Sequence, residues 1–299
     1  MNPRIRMFRS PRPPLTAIVL AALTLATACT AAPAERPVYG PRAATVTPAR
    51  LSETLPADPV RMVLPATGAE SRWTQGLDVF TQQVRQAVAA SCAREHGFAL
   101  PGRIPVAFIR FSDVPDLDFI ARHGFSESAT VPAPPSSPAP DRTGTAAETR
   151  TCLARGTAKA QALRDRYAEV QGQWFGTIAS LSQDDATATA RALRTLPDCF
   201  ARHGIEAADE QAYFALADRL MQSADASELP AQESRLGQAY AACMRPVEAV
   251  REPARTELRT RFLAAPEHAA AVRALRTTLV PALRAAEQLY GVRLVFPEP

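Results

Sequence analysis

Ser91-Cys-Ala-Arg-Glu-His-Gly-Phe98 and Asp198-Cys-Phe-Ala-Arg-His-Gly-Ile205 share one pattern: a cysteine, three residues, then His-Gly and an apolar side chain. A third stretch, Phe119-Ile-Ala-Arg-His-Gly-Phe125, keeps the His-Gly-apolar end with phenylalanine where the cysteine stood. Two readings compete. In a helix that closes on a left-handed residue, glycine is favoured because it has no Cβ to clash, and the following apolar residue folds back over the last turn. Gly97, Gly124 and Gly204 are then helix C-caps, with Phe98, Phe125 and Ile205 folding back. The Arg and His before each glycine face the negative end of the helix dipole. The rival reading takes Cys92 with His96 and Cys199 with His203 as a Cys2His2 set for zinc. Helix termination covers all three copies, whereas zinc covers two and leaves Cys152 and Cys243 to pair with each other or stay free. The preferred assignment is helix endings, with no metal and no cofactor.

Working outward, Trp73, Leu77, Phe80, Val84, Val88 and Cys92 recur at three- and four-residue steps, the apolar stripe of a helix that stops at Gly97. A second long stripe, Leu163, Tyr167, Val170, Trp174, Ile178 and Leu181, predicts a helix beginning near Cys152. Ser182 and Asp185 have the spacing of a capping pair that would start a third helix. Further helices are expected over 207–223, 231–265 and 267–289, with Pro246, Pro253 and Pro281 kinking or dividing the last two. Between the first two helices lie an extended piece from Ile104 to Phe111 and the proline-rich run Val131 to Thr145. Proline supplies no backbone donor there, so a disordered loop is expected near 126–148. Tyr290 to Phe296 alternates enough for a short C-terminal strand. The fold class is therefore mostly α, a helical bundle stapled by disulfides.

The front end has the parts of a secretory signal: Arg4, Arg6, Arg9 and Arg12, no acid, then an apolar run from Pro14 to Ala28. That run is too short for a stable membrane span. It ends in Leu25-Ala-Thr-Ala-Cys29, which resembles the bacterial lipobox, where the cysteine is acylated and becomes the new amino terminus. The expected organisation is a signal peptide over 1–28, a flexible tether over 29–65 and one helical domain over 66–299. Cys29 is the expected lipidation site, which puts the chain on the outer face of the cytoplasmic membrane; without acylation it would be secreted. Loss of the signal also removes four of the 34 basic residues and none of the 30 acidic ones, leaving 30 of each sign. With that balance the pI near 9.0 is no argument for a nucleic-acid partner, and none is assigned.

With Cys29 lipidated, Cys92, Cys152, Cys199 and Cys243 remain, an even number in an oxidising compartment, so two disulfides are expected. Four cysteines allow three connectivities. Sequence neighbours pack together most often, which favours Cys92 with Cys152 and Cys199 with Cys243 without excluding the other two.

Other chemistry is thin. There is no G-x-S-x-G elbow, no H-E-x-x-H and no glycine-rich phosphate loop. Asp113, Asp116 and Asp118 lack the glycine and terminal glutamate of an EF-hand and read as a solvated acidic turn. His268 reads as a solvated residue in a helix's first turn, and Trp73 and Trp174, on apolar stripes, as core.

The order of these features resembles a family of uncharacterised actinobacterial lipoproteins. Its pattern is a lipobox, a helix ending C-x4-G-[FY], a lone later cysteine, another helix ending C-x4-G, and a last helix bearing a cysteine. Here these are Cys29, Cys92 to Phe98, Cys152, Cys199 to Gly204, and Cys243, over roughly residues 73–265. The chain departs from the family in having Cys92-Ala93 in place of Cys-Met, and no following Tyr-x-Pro. The resemblance implies an envelope protein with structural disulfides and brings no catalytic residues. The expected function is a non-enzymatic binding or structural component of the cell envelope. Its partners would be the membrane, through the lipid, and a cell-wall component or envelope protein. The alternatives are a hydrolase acting on cell-wall material and a zinc-binding envelope protein.

Overall fold

The structure is a computed structural model that describes residues 49–100, 113–125, 131, 140, 142–184, 188–225 and 227–298. The signal segment, Cys29, the Ile104–Phe111 piece, Asp185 and most of the proline-rich run lie outside the described residues. The protein is mostly helical, as expected, with a two-stranded sheet that includes a C-terminal strand.

The fold begins earlier than residue 66, and the expected tether boundary is corrected accordingly. Strand β1 (Arg50–Ser52) and the one-turn helix α1 (Val60–Val63) fall inside the span read as tether. Val60, Met62, Val63 and Leu64 are fully buried. The isolated cluster of apolar residues before Pro65 is too short to show a period, which is why the sequence pattern missed it.

Helix α2 (Gly68–Glu95) starts where Glu70 turns back, its carboxylate accepting from the N–H groups of Ala66 at 2.8 Å and Thr67 at 3.4 Å. Helix α3 (Leu117–His123) is capped by Asp116, which accepts from the Phe119 N–H at 3.0 Å. Helix α4 (Ala146–Arg164) opens with a full capping box: Thr145 Oγ1 accepts from Glu148 N–H at 3.3 Å, and Glu148 accepts from Thr145 N–H at 2.8 Å. Residues 142–148, within the span expected to be disordered, are thus ordered, and the helix begins at Ala146 rather than near Cys152. A turn at 165–167 then separates α4 from α5 (Ala168–Asp184), so the predicted single long helix is two.

Short helices α6 (Ala188–Leu193) and α7 (Leu196–Arg202) lead to α8 (Glu210–Ser223), capped by Asp209. Helix α9 (Leu229–Ala264) runs for 36 residues with Pro246 and Pro253 inside it, undivided. A 3-10 turn precedes α10 (Ala269–Tyr290), which contains Pro281 and closes on Gly291 at φ 65°. Strand β2 (Phe296–Glu298) pairs antiparallel with β1, Arg50 opposite Glu298 and Ser52 opposite Phe296.

Two apolar cores share α9 as their spine. The amino-terminal half of α9 contributes Leu236, Tyr240, Met244 and Val247 to a core with α3, α7 and α8. Phe262, near its other end, joins a second core built from α1, α2, α5, α10 and the tail before β2. Trp174 belongs to that second core, fully buried, its indole N–H donating to Pro65 O at 3.0 Å and its ring edge-on to Phe262. Trp73 is half-buried and donates to Thr54 O at 3.3 Å.

Candidate functional site

The two cysteine motifs resolve into one device used twice. At the end of α2, Gly97 N–H donates to Arg94 O at 2.9 Å and Phe98 N–H reaches back to Ala93 O at 3.0 Å, the paired bonds of a Schellman ending. At the end of α7, Gly204 N–H donates to Ala201 O at 2.9 Å and Ile205 N–H to Phe200 O at 3.0 Å. Both glycines have φ near +69°, so both endings match the sequence reading. Each cysteine stands five residues before its glycine, on the turn over which Phe98 or Ile205 folds, and both of those side chains are buried.

Gly124 ends its helix differently. It is itself the cap of α3, at φ 74° and ψ −163°, and its N–H donates to Ile120 O at 2.9 Å. Phe125 packs on Tyr240 at 5.5 Å, while buried Glu233 crowds the space a Cβ on Gly124 would take. The third copy thus also ends its helix on a positive-φ glycine, with the glycine itself as the cap where Gly97 and Gly204 follow one.

The disulfides are Cys92–Cys152, with Cα atoms 5.4 Å apart, and Cys199–Cys243, 5.6 Å apart. The first ties the end of α2 to the start of α4, where Gly156 lets the helices close until a Cβ would strike Arg85 O. Arg142 closes the same corner, pairing with Glu148 at 3.0 Å and donating to His96 O at 3.1 Å. The second ties α7 to α9 in the other core. Two structural disulfides point to a chain that folds outside the reducing cytoplasm. Among the described residues, no helix is long and apolar enough to cross a membrane.

The Cys2His2 zinc set is not assembled: Cys92 and Cys199 sit in different disulfides, and a disulfide sulfur has no thiolate to offer a metal. His96 and His203 are exposed. Asp116 is spent on its cap and Asp118 pairs with Arg245 at 2.7 Å, so the acidic turn is divided between two tasks. His268 departs from expectation, for it is half-buried and its ring lies flat on Phe262 with centroids 3.8 Å apart.

Between the two cores runs a feature the sequence pattern did not single out. Arg251, Arg255 and Arg259 recur every fourth residue along one stripe of α9. Arg259 pairs with Glu70 and donates to Leu64 O at 3.1 Å. Arg255, 2% exposed, pairs with Glu248 and donates from Nε to Ala66 O at 2.9 Å. Arg251 lies 3.3 Å from Glu210 and 3.7 Å from Glu248, and Glu210 in turn accepts from the Tyr240 hydroxyl at 2.7 Å. Burial, with the neighbouring Glu210 charge, holds the Tyr240 phenol far above its ordinary range. The ladder clamps the turn between α1 and α2 onto the spine. Its charges pair with one another and with backbone carbonyls, an arrangement suited to joining helices, with Glu248 Oε1 and Arg251 Nε left without a hydrogen bond. A signal for it was present: Thr67-x-x-Glu70 is a capping pair, and far along the chain arginines at four-residue steps ask where their partners are.

A smaller polar group lies between α2 and the turn after α4. Burial pushes the Asp78 carboxyl up, against the pull of Arg164. One turn along, Thr81 Oγ1 meets the buried Tyr167 hydroxyl at 3.2 Å. Neither Asp78 nor Thr81 stood out from sequence, because a single polar residue on a helical stripe carries no motif.

No protein-family model, curated protein or solved structure matches this chain.

Proposed function

We propose that this protein is a membrane-tethered, extracytoplasmic lipoprotein whose helical domain is a non-enzymatic binding or structural component of the cell envelope. The observation that carries it is the pair of disulfides placed at helix ends, in a chain whose first 29 residues have the sequence pattern of a secretory signal leading to Cys29. The likeness to actinobacterial lipoproteins points the same way. The buried charges support it further, since Glu70, Glu248, Arg255 and Arg259 hold elements together instead of facing a cleft.

The test is the intact mass of protein matured in its own envelope, before and after reduction, joined to partition between detergent and water. Acyl mass on the Cys29 peptide, detergent partition, and release into water by Cys29→Ser are expected. Cys29 found unmodified in a membrane-free protein would overturn the tether. Turnover of purified cell-wall material would replace the binding role with the hydrolase reading.

A further inference from the structure

The two stapled helix ends look alike in sequence and differ in what surrounds the sulfurs. Cys92 and Cys152 are both 1% exposed. Cys199 is half-buried, and the exposed His203 stands one turn along α7. The sulfurs of Cys199 and Cys243 and a ring nitrogen of His203 all lie within 4.8 Å of one another. His96 has the same spacing from Cys92, yet among the described residues it forms no such group with Cys92 and Cys152.

We infer that the Cys199–Cys243 disulfide is a reducible latch over a metal site: opened by a dithiol, Cys199, Cys243 and His203 become a Cys2His set for zinc. Tetrahedral zinc, with Zn–S about 2.3 Å and Zn–N about 2.0 Å, spaces its ligand atoms by roughly 3.5–3.8 Å. The histidine is already within a small side-chain rotation of that distance, and the sulfurs part when their bond breaks. This set differs from the Cys2His2 pairing, since it uses one motif and the cysteine that motif is bonded to.

The chemistry balances with a dithiol reductant. Its first thiolate attacks one sulfur of the pair, forming a mixed disulfide and releasing the other cysteine as a thiol once protonated. Its second thiol then closes the reductant's own disulfide and frees the second cysteine. Two electrons and two protons pass to Cys199 and Cys243, and zinc binding expels those two protons to give two thiolates. The fourth position of the tetrahedron is left for water.

The ligands stay together after reduction because other contacts hold both helices. Leu196 and Phe200 are fully buried, and Phe200 stacks on Tyr213 with centroids 4.6 Å apart. On α9, Met244 and Val247 flank the Cys243 turn in the same core.

The test uses the full-length protein in detergent, reduced anaerobically with dithiothreitol, then titrated with cobalt(II) as a spectroscopic stand-in for zinc. Peptide mapping should find Cys199 and Cys243 alkylated before Cys92 and Cys152. One cobalt per chain should bind with thiolate charge-transfer and tetrahedral bands, displaced by zinc. His203→Ala should weaken cobalt binding by at least the roughly 10- to 100-fold typical of losing a group behind a ligand. His96→Ala should leave it unchanged. Earlier opening of Cys92–Cys152, no cobalt beyond that bound by alkylated protein, or His203→Ala without effect would overturn the proposal. So would loss of the helical circular dichroism on reduction, because the site needs α7 held in place.

Discussion

Arg255, three quarters of the way along the longest helix, donates to the backbone carbonyl of Ala66 across 2.9 Å, although 189 residues separate them. The same guanidinium pairs with Glu248 one helical stretch earlier. Arg255→Met keeps the apolar stem but takes the donor from Ala66 O and leaves the buried Glu248 carboxylate only the more distant Arg251, at 3.7 Å. Breaking a buried pair by removing one partner costs about 3–5 kcal/mol. The urea midpoint should fall with an unchanged slope. Arg276→Met, which breaks the solvent-facing pair with Asp58, should cost no more than about 1 kcal/mol. Equal losses would mean that the ladder does not join the two cores.

The three glycines should rank in a definite order. At Gly97 and Gly204 nothing lies within 4 Å of an added Cβ, so alanine meets only the left-handed backbone penalty of about 1–2 kcal/mol. At Gly124 the added Cβ falls 2.5 Å from the Glu233 Cγ, in a backbone region that is essentially glycine's alone. Gly124→Ala should therefore lose more than either of the others in chemical denaturation. A smaller loss there would show that Glu233 yields easily.

These contrasts explain why some of the fold was legible in the sequence. The stripe from Trp73 to Cys92 and the glycine endings are local, so they are visible to periodicity and turn chemistry. Whether Phe125 folds back as Phe98 does is decided by Tyr240 and Glu233, which are distant in sequence and carry no mark of it. Prolines 246 and 253 look like breaks, yet α9 runs through them because both its halves are buried against separate cores. The preferred disulfide pairing was right because each bond joins consecutive cysteines of the chain across a single intervening helix, α2 to α4 and α7 to α9. The arginine ladder was missed because evenly spaced charges on a helix ordinarily face water.

Replacing each disulfide by a serine pair separates loop entropy from local packing. The bonds close loops of 60 and 44 residues, and the logarithmic dependence makes their entropic contributions differ by only about 0.3 kcal/mol. Each loss should cost roughly 2–5 kcal/mol. Cys92→Ser with Cys152→Ser should be the costlier, because both hydroxyls enter a site 1% exposed, whereas Cys199 is half-buried. Equilibrium unfolding of the two variants decides it, and the reverse order would contradict this account of the two sites.

The capping box of α4 should respond to acid. The Arg142 guanidinium, with the Thr145 backbone N–H, holds the Glu148 carboxyl down to about 2 from its ordinary 4.5. A lowered carboxyl contributes stability that is present above the unfolded value and lost as pH falls toward the folded one. The melting difference between the parent protein and Glu148→Gln should therefore persist above about 4.5 and shrink toward about 2. A difference independent of pH across that window would assign the effect to the hydrogen bonds alone.

At the alkaline end the buried phenols act together. Burial raises Tyr167, Tyr213 and Tyr240, and the Glu210 charge adds to the rise at Tyr240. In the unfolded chain each ionises near pH 10, so the folded state binds more protons above that pH. Stability is then full below about pH 10 and falls as pH rises, by up to about 1.4 kcal/mol per pH unit for each phenol. Tyr213 donates to Leu236 O at 2.6 Å, and Tyr213→Phe removes one titrating group from this set. The slope of unfolding free energy against pH should become shallower by up to that one-phenol amount, and the phenolate absorbance of these three phenols should rise only as the helices melt. Phenolate signal from all tyrosines in a fully helical protein would refute the burial on which the prediction rests.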